Sequence, residues 1–208
     1  MRFHVYYEAD SEHLLISDSQ THSEKNKTCL NSGVVNVLSL PGGKIRHVYD
    51  FLPPQGKYKS ASLFIGGNDC FVKGGALSEQ SPQLIAEDLK TLADTIVPRT
   101  GLVHVIGIPE RHNKKERTAK VNEILERFST KADWKYRSVS KYIWSRHISE
   151  DSVHLTDEGL KNLKKLLKEK ILYKLYDIEQ DKKGPRKVTV CGNAKQPDCL
   201  CGHFNPPS

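Results

Sequence analysis

Short apolar runs rich in branched residues alternate five times with segments of helical period, and this alternation constrains the fold more than any other feature of the chain. The runs are LLIS at 14–17, VVNVL at 34–38, ASLFIG at 61–66, LVHVIGI at 102–108 and the weaker WKYRSV at 134–139. Apolar runs this short read as buried strands. Three helical segments stand out. SPQLIAEDLKTLADTIVP offers Ser81 as N-cap and Pro82 at the first helical position, with Leu84, Ile85, Leu89, Leu92 and Ile96 on one stripe. NKKERTAKVNEILERF puts Val121, Ile124, Leu125 and Phe128 on a shared face. TDEGLKNLKKLLKEKILYKLYDI turns Leu160, Leu163, Leu167, Ile171 and Leu175 inward and leaves Lys161, Lys164, Lys165 and Lys168 in water.

Parallel neighbours in a sheet need a crossover, usually a helix, to bring the chain back. Strand and helix in alternation therefore predict a three-layer α/β/α domain with a five-stranded parallel sheet. In such sheets ligands bind beyond the carboxyl ends of the strands, near the point where strand order reverses. The residues to inspect are the polar ones that follow each strand.

Composition narrows the class. Of the 208 residues 37% are apolar and 27% charged, the balance of a globular chain. Its length fits one domain, expected over 1–180, with a basic Cys/His-containing tail over 181–208. The formal net charge is +7, and five Lys/Arg against two Asp in the tail supply +3 of it. That spread permits contact with nucleic acid through the last helix and the tail, without requiring it. The first residues lack the apolar core of a secretory signal, and no run approaches the ~18 apolar residues of a membrane span, so an intracellular address, cytoplasmic or nuclear, is expected. Five cysteines, with Cys29 and Cys70 far from the other three, argue against a disulfide framework, and both are read as reduced thiols.

The strand ends supply, in order, Asp18-Ser19, Pro41-Gly42-Gly43, Gly66-Gly67-Asn68-Asp69 and, after the fifth run, Asp151-Ser152-Val153-His154. A serine hydroxyl becomes a nucleophile when an imidazole takes its proton and a carboxylate holds that imidazole in the right tautomer. Asp151 and His154 suit the two partner roles. The oxyanion of acyl transfer needs fixed donors, and the N–H of Ser19, the N–H of Gly42 and the amide of Asn68 suit that role. Each residue alone is also an ordinary turn or cap residue: Gly42 and Gly43 fit a turn into the helix KIRHVYDFL, and Thr156 fits an N-cap. Gly42 and Gly43 remain open alternatives for the same donor.

Taken together, the order Ser19, Gly42, Asn68, Asp151-His154 resembles the SGNH (GDSL-type) hydrolases over residues 12–178, with DSVHLTDEG as the most specific stretch. The resemblance implies a flavodoxin-like three-layer fold, a serine esterase activity toward short acyl esters and no cofactor. It also implies the roles of Ser19 as nucleophile, His154 as base, Asp151 as its orienting acid, and Ser19, Gly42 and Asn68 as the oxyanion hole. LPGGKIRHV, HVIGIPERHN and KVNEILERF are similar to the domains carried by some non-LTR retrotransposon reading frames. Related domains without the reacting residues bind RNA, so a binding module for RNA or protein is the alternative function. The family block reads Gly-Asp-Ser-Leu, whereas this chain has Ser17 for the Gly and Gln20 for the Leu. The G-x-S-x-G elbow of α/β-hydrolases, a Walker loop and a G-x-G-x-x-G turn are all missing. In the tail, Cys191, Cys199, Cys201 and His203 form a C-x7-C-x-C-x-H set able to close a tetrahedral zinc site.

Overall fold

The computed structural model describes residues 5–7, 11–21, 35–71, 76–110, 115–149 and 154–172, the first three as backbone. All lie within the unit Met1–Lys174. The expected tail 181–208 lies outside the described residues, as does Cys29.

Six strands form one sheet: β1 (Val5–Tyr7), β2 (His13–Ser17), β3 (Asn36–Ser39), β4 (Ser60–Phe64), β5 (Leu102–Ile106) and β6 (Lys135–Arg137), in the order β1-β3-β2-β4-β5-β6. The five expected strands run parallel. The sixth, β1, was not foreseen; it pairs antiparallel with β3, Tyr6 opposite Leu38. Three residues leave too short a pattern to read as a strand, and only the β3 edge makes them one.

Both faces of the sheet are covered, and adjacent residues of one strand report to different cores. Leu14 and Ile16 pack with Leu63, Val103 and Val105 beneath α2 (Pro82–Thr100) and α3 (Lys115–Ser129), through Ile85, Leu89, Leu92, Ile96, Val121 and Leu125. Leu15 packs with Val37, Phe64 and Ile106 under α4 (Asp157–Leu167), through Leu160, Leu163, Leu166 and Leu167. Each fully buried Leu or Ile contributes about 1.5–3 kcal/mol. This double burial is why the strands lack polar alternation.

Local signals set most helix ends. Ser81 Oγ accepts from Leu84 N–H at 3.2 Å, capping α2, and Thr156 Oγ1 accepts from Gly159 N–H at 3.1 Å, capping α4. Three expectations need correction. Leu84 is 51% exposed: the buried arc runs through Ile85, Leu89, Leu92 and Ile96, and Leu84 falls one side of it with Asp88 and Thr91. KIRHVYDFL forms a 3-10 helix over Ile45–Phe51. The last helix is α-helical only to Leu167 and continues as a π-turn over Lys168–Leu172; Leu175 lies outside the described residues.

Polar side chains are also buried on the α4 face. The His13 ring lies between Ser60 Oγ, 2.6 Å from Nδ1, and Ser62 Oγ, 2.9 Å from Nε2. Burial pushes the imidazole down to about 3, so it stays neutral. One ring nitrogen then donates and the other accepts, which two hydroxyls satisfy in either tautomer.

Candidate active site at the carboxyl ends of β2, β3 and β4

The chain leaves β2 for β3 on one side and later takes up β4 on the other, so strand order reverses at the end of β2. β2 stays regular to its last residue, with Ser17 opposite Ser39 on one side and Phe64 on the other. Ser17 is fully buried, so its Cβ is accommodated, but its Oγ has no hydrogen-bond partner among the described residues.

Just beyond, Asp18 is buried and shapes the turn. Its Oδ1 accepts from Gln20 N–H at 3.1 Å, and its carbonyl accepts from Ser39 Oγ at 3.0 Å. An aspartate that bonds the backbone two residues on makes a local turn. The result is the 3-10 turn Ser19–Thr21, with Ser19 half-buried at its first position, where a helical N–H has no intrahelical acceptor.

At the end of β3, Gly43 N–H donates to Leu40 O at 2.7 Å, closing a turn with Pro41 second and Gly42 third at φ +65°. Positive φ at that position is the type II arrangement, which favours glycine. The two glycines therefore differ. The N–H of Gly43 is committed to the turn and a Cβ there would meet Leu40 O at 2.6 Å, whereas Gly42 is exposed with open space around it.

After β4, Gly66 at φ +115° leads into the single helical turn α1 (Gly67–Cys70). Two successive residues of α1 reach back to the β3 turn. Asn68 Nδ2 donates to Gly43 O at 3.0 Å, and Asp69 Oδ2 accepts from Ile45 N–H at 3.1 Å. Asp69 is buried, which pushes its carboxyl up to about 6 against the Ile45 hydrogen bond and the positive charge of Lys44. Its carbonyl accepts from Ser78 Oγ, and Arg117 of α3 donates to Ser78 O at 3.0 Å and to Gln80 O. A carboxamide carries two N–H bonds, and among the described residues only Gly43 O takes one from Asn68.

His154 does not directly follow a strand, contrary to the sequence reading. It comes after β6 and a 3-10 turn at Ser145–His147, and it lies between Ile148 and Leu155, which pair in an antiparallel bridge. Its carbonyl accepts from Ser149 N–H at 2.8 Å and Ser149 Oγ at 3.0 Å. The next N–H, of Leu155, donates to Gln20 Oε1 at 2.9 Å. That bond joins the turn carrying Ser19 to the peptide carrying His154 across 135 positions of sequence. Asp151 lies outside the described residues, as do Cys191, Cys199, Cys201 and His203.

An open cleft lies beside these elements, lined among others by Asp18, Gln20, Phe64, Gly67, Ile108 and Ile148. One wall is fixed by Asn122, whose amide accepts from Ile108 N–H at 2.8 Å and donates to Ile108 O at 2.9 Å. The sequence reading missed Gln20, Asn122 and the apolar walls. The position of Gln20 next to Ser19 was the available signal, and it registered only as a departure from a pattern.

No protein-family model matches the sequence, and no curated protein does. Solved structures do match. A lipase/acylhydrolase from Enterococcus faecalis is similar at 15% identity and a TM-score of 0.57, over 74% of this chain and 92% of that one. A GDSL-like lipase from Bacteroides thetaiotaomicron is similar at 13% and 0.56, over 75% and 85%. A carbohydrate acetylesterase from Sinorhizobium meliloti is similar at 13% and 0.56, over 80% and 99%. The chain shares the fold of these ester hydrolases.

Proposed function

We propose that this chain is a serine esterase of the SGNH type, acting through an acyl-enzyme on Ser19. The hydrogen bond from Leu155 N–H to Gln20 Oε1 carries this reading, because it ties the serine turn and the histidine segment together at the switch point of the sheet. The shared fold with acylhydrolases and an acetylesterase supports the class of reaction.

In this mechanism Ser19 Oγ attacks the ester carbonyl while His154 takes its proton. Asp151 holds the imidazole in the productive tautomer. The negative charge on the carbonyl oxygen falls to the N–H of Ser19, the N–H of Gly42 and the second N–H of Asn68. Collapse expels the alcohol, which receives the proton from His154. Water, deprotonated by His154, then releases the acid. Every reacting group is a side chain or a backbone amide, so the cycle uses no cofactor. The substrate is an ester of a short acid, whose acyl group lies against Phe64, Ile108 and Ile148. The narrower kinship, with SGNH domains of non-LTR retrotransposon reading frames, rests on LPGGKIRHV, HVIGIPERHN and KVNEILERF.

A fluorophosphonate probe tests the reading: wild type is labelled, and Ser19→Ala and His154→Ala are not. Labelling that ignores Ser19, combined with tight salt-sensitive RNA binding, overturns it in favour of a binding module.

A further inference from the structure

Granting Ser19 and His154 as nucleophile and base, we infer that Gln20 is the positioning residue that sets the base against the nucleophile. The carbonyl of His154 and the N–H of Leu155 belong to one peptide plane. Ser149 holds that plane from one side with its N–H and hydroxyl, at 2.8 and 3.0 Å, and Gln20 Oε1 holds it from the other at 2.9 Å. Gln20 and Leu155 are each 7% exposed, so water does not replace the bond.

The near end of this link is equally fixed. Gln20 N–H donates to Asp18 Oδ1 at 3.1 Å, and the buried Asp18 is held in turn by Ser39 Oγ at its carbonyl. One glutamine side chain, anchored at both ends, therefore spans from the backbone next to Ser19 to the backbone next to His154. Only the side-chain torsions of His154 remain to be set.

Leucine at position 20, as in the Gly-Asp-Ser-Leu pattern, fills a similar volume but accepts nothing. It leaves Leu155 N–H buried and unpaired, and the segment then moves to find a partner. A displacement near 1 Å at a reacting pair lowers a rate about 100-fold, and smaller displacements lower it less. Gln20→Leu should reduce kcat for p-nitrophenyl acetate about 10- to 100-fold, with KM changed no more than a few-fold. Gln20→Glu keeps an acceptor oxygen at the same reach and should recover most of the loss.

A purely structural role predicts neither the kcat-selective loss nor the rescue. If Gln20→Leu does not fold, Ser149→Ala reads the same plane from its other side and should lower kcat several-fold with KM retained. Kcat within twofold of wild type in Gln20→Leu, or equal losses in the Leu and Glu variants, overturns the inference while Ser19-dependent labelling of the wild type persists. Where the first variant does not fold, unchanged kcat in Ser149→Ala does the same. Absence of Ser19-dependent labelling in the wild type removes the esterase reading and this inference together.

Discussion

Asn68 Nδ2 donates to the carbonyl of Gly43 at 3.0 Å, so the β3 turn and α1, which carry the proposed oxyanion donors, are bonded to each other. The bond fixes the Asn68 amide plane, and with it the direction of the second N–H. Under the proposed mechanism, Asn68→Ala removes a donor and releases the β3 turn. Loss of one such donor costs about 3 kcal/mol in the transition state, so kcat should fall by 100-fold or more. Steady-state hydrolysis of a short-chain p-nitrophenyl ester measures it, and a kcat within fivefold of wild type would remove Asn68 from the oxyanion site.

The neighbouring glycines should respond differently to alanine. At Gly43 the added methyl meets Leu40 O at 2.6 Å and Leu40 Cβ at 2.7 Å, so the turn itself must shift. At Gly42 space is open and the penalty is conformational, about 1–2 kcal/mol for a left-handed residue with a side chain. Thermal denaturation should rank Gly43→Ala below Gly42→Ala; the reverse order would contradict this turn geometry.

Ser17 stands where the Gly-Asp-Ser-Leu pattern has Gly, and the strand runs through it without distortion. Its consequence is energetic, since a buried hydroxyl without a partner is worth about 1–3 kcal/mol of lost stability. Ser17→Ala should raise Tm by about 2–4 °C for a gain near 1 kcal/mol. An unchanged or lowered Tm would mean that the hydroxyl is satisfied in solution.

Asp69 and His13 should give opposing slopes of stability against pH. Burial raises the Asp69 carboxyl from 3.8 to about 6, so between these values the folded chain holds a proton that the unfolded chain has lost, and stability falls as pH rises. Burial lowers the His13 imidazole from 6.5 to about 3. There the unfolded chain holds the extra proton, so stability is complete above 6.5 and is lost as pH falls toward 3. Each group contributes at most about 1.4 kcal/mol per pH unit. Urea unfolding from pH 4 to 7 should therefore show Asp69→Asn gaining stability with pH more steeply than wild type between 4 and 6, and His13→Gln less steeply. Three parallel curves would refute both assignments.

The sequence by itself determined what depends on near neighbours. Five parallel strands, the caps at Ser81 and Thr156, and the apolar stripe of Ile85, Leu89, Leu92 and Ile96 follow from side-chain period and from groups three or four residues apart. Leu84 escaped that logic because period alone does not fix where the buried arc ends. Tertiary structure decided what requires distant partners. The edge β3 makes Val5–Tyr7 a strand, the closing bond to Leu40 separates Gly43 from Gly42, and a glutamine beside Ser19 becomes the anchor of a peptide at Leu155. Hydrogen-bond partners far apart in sequence are chosen by the packing of the sheet and its helices, and no local pattern encodes that choice.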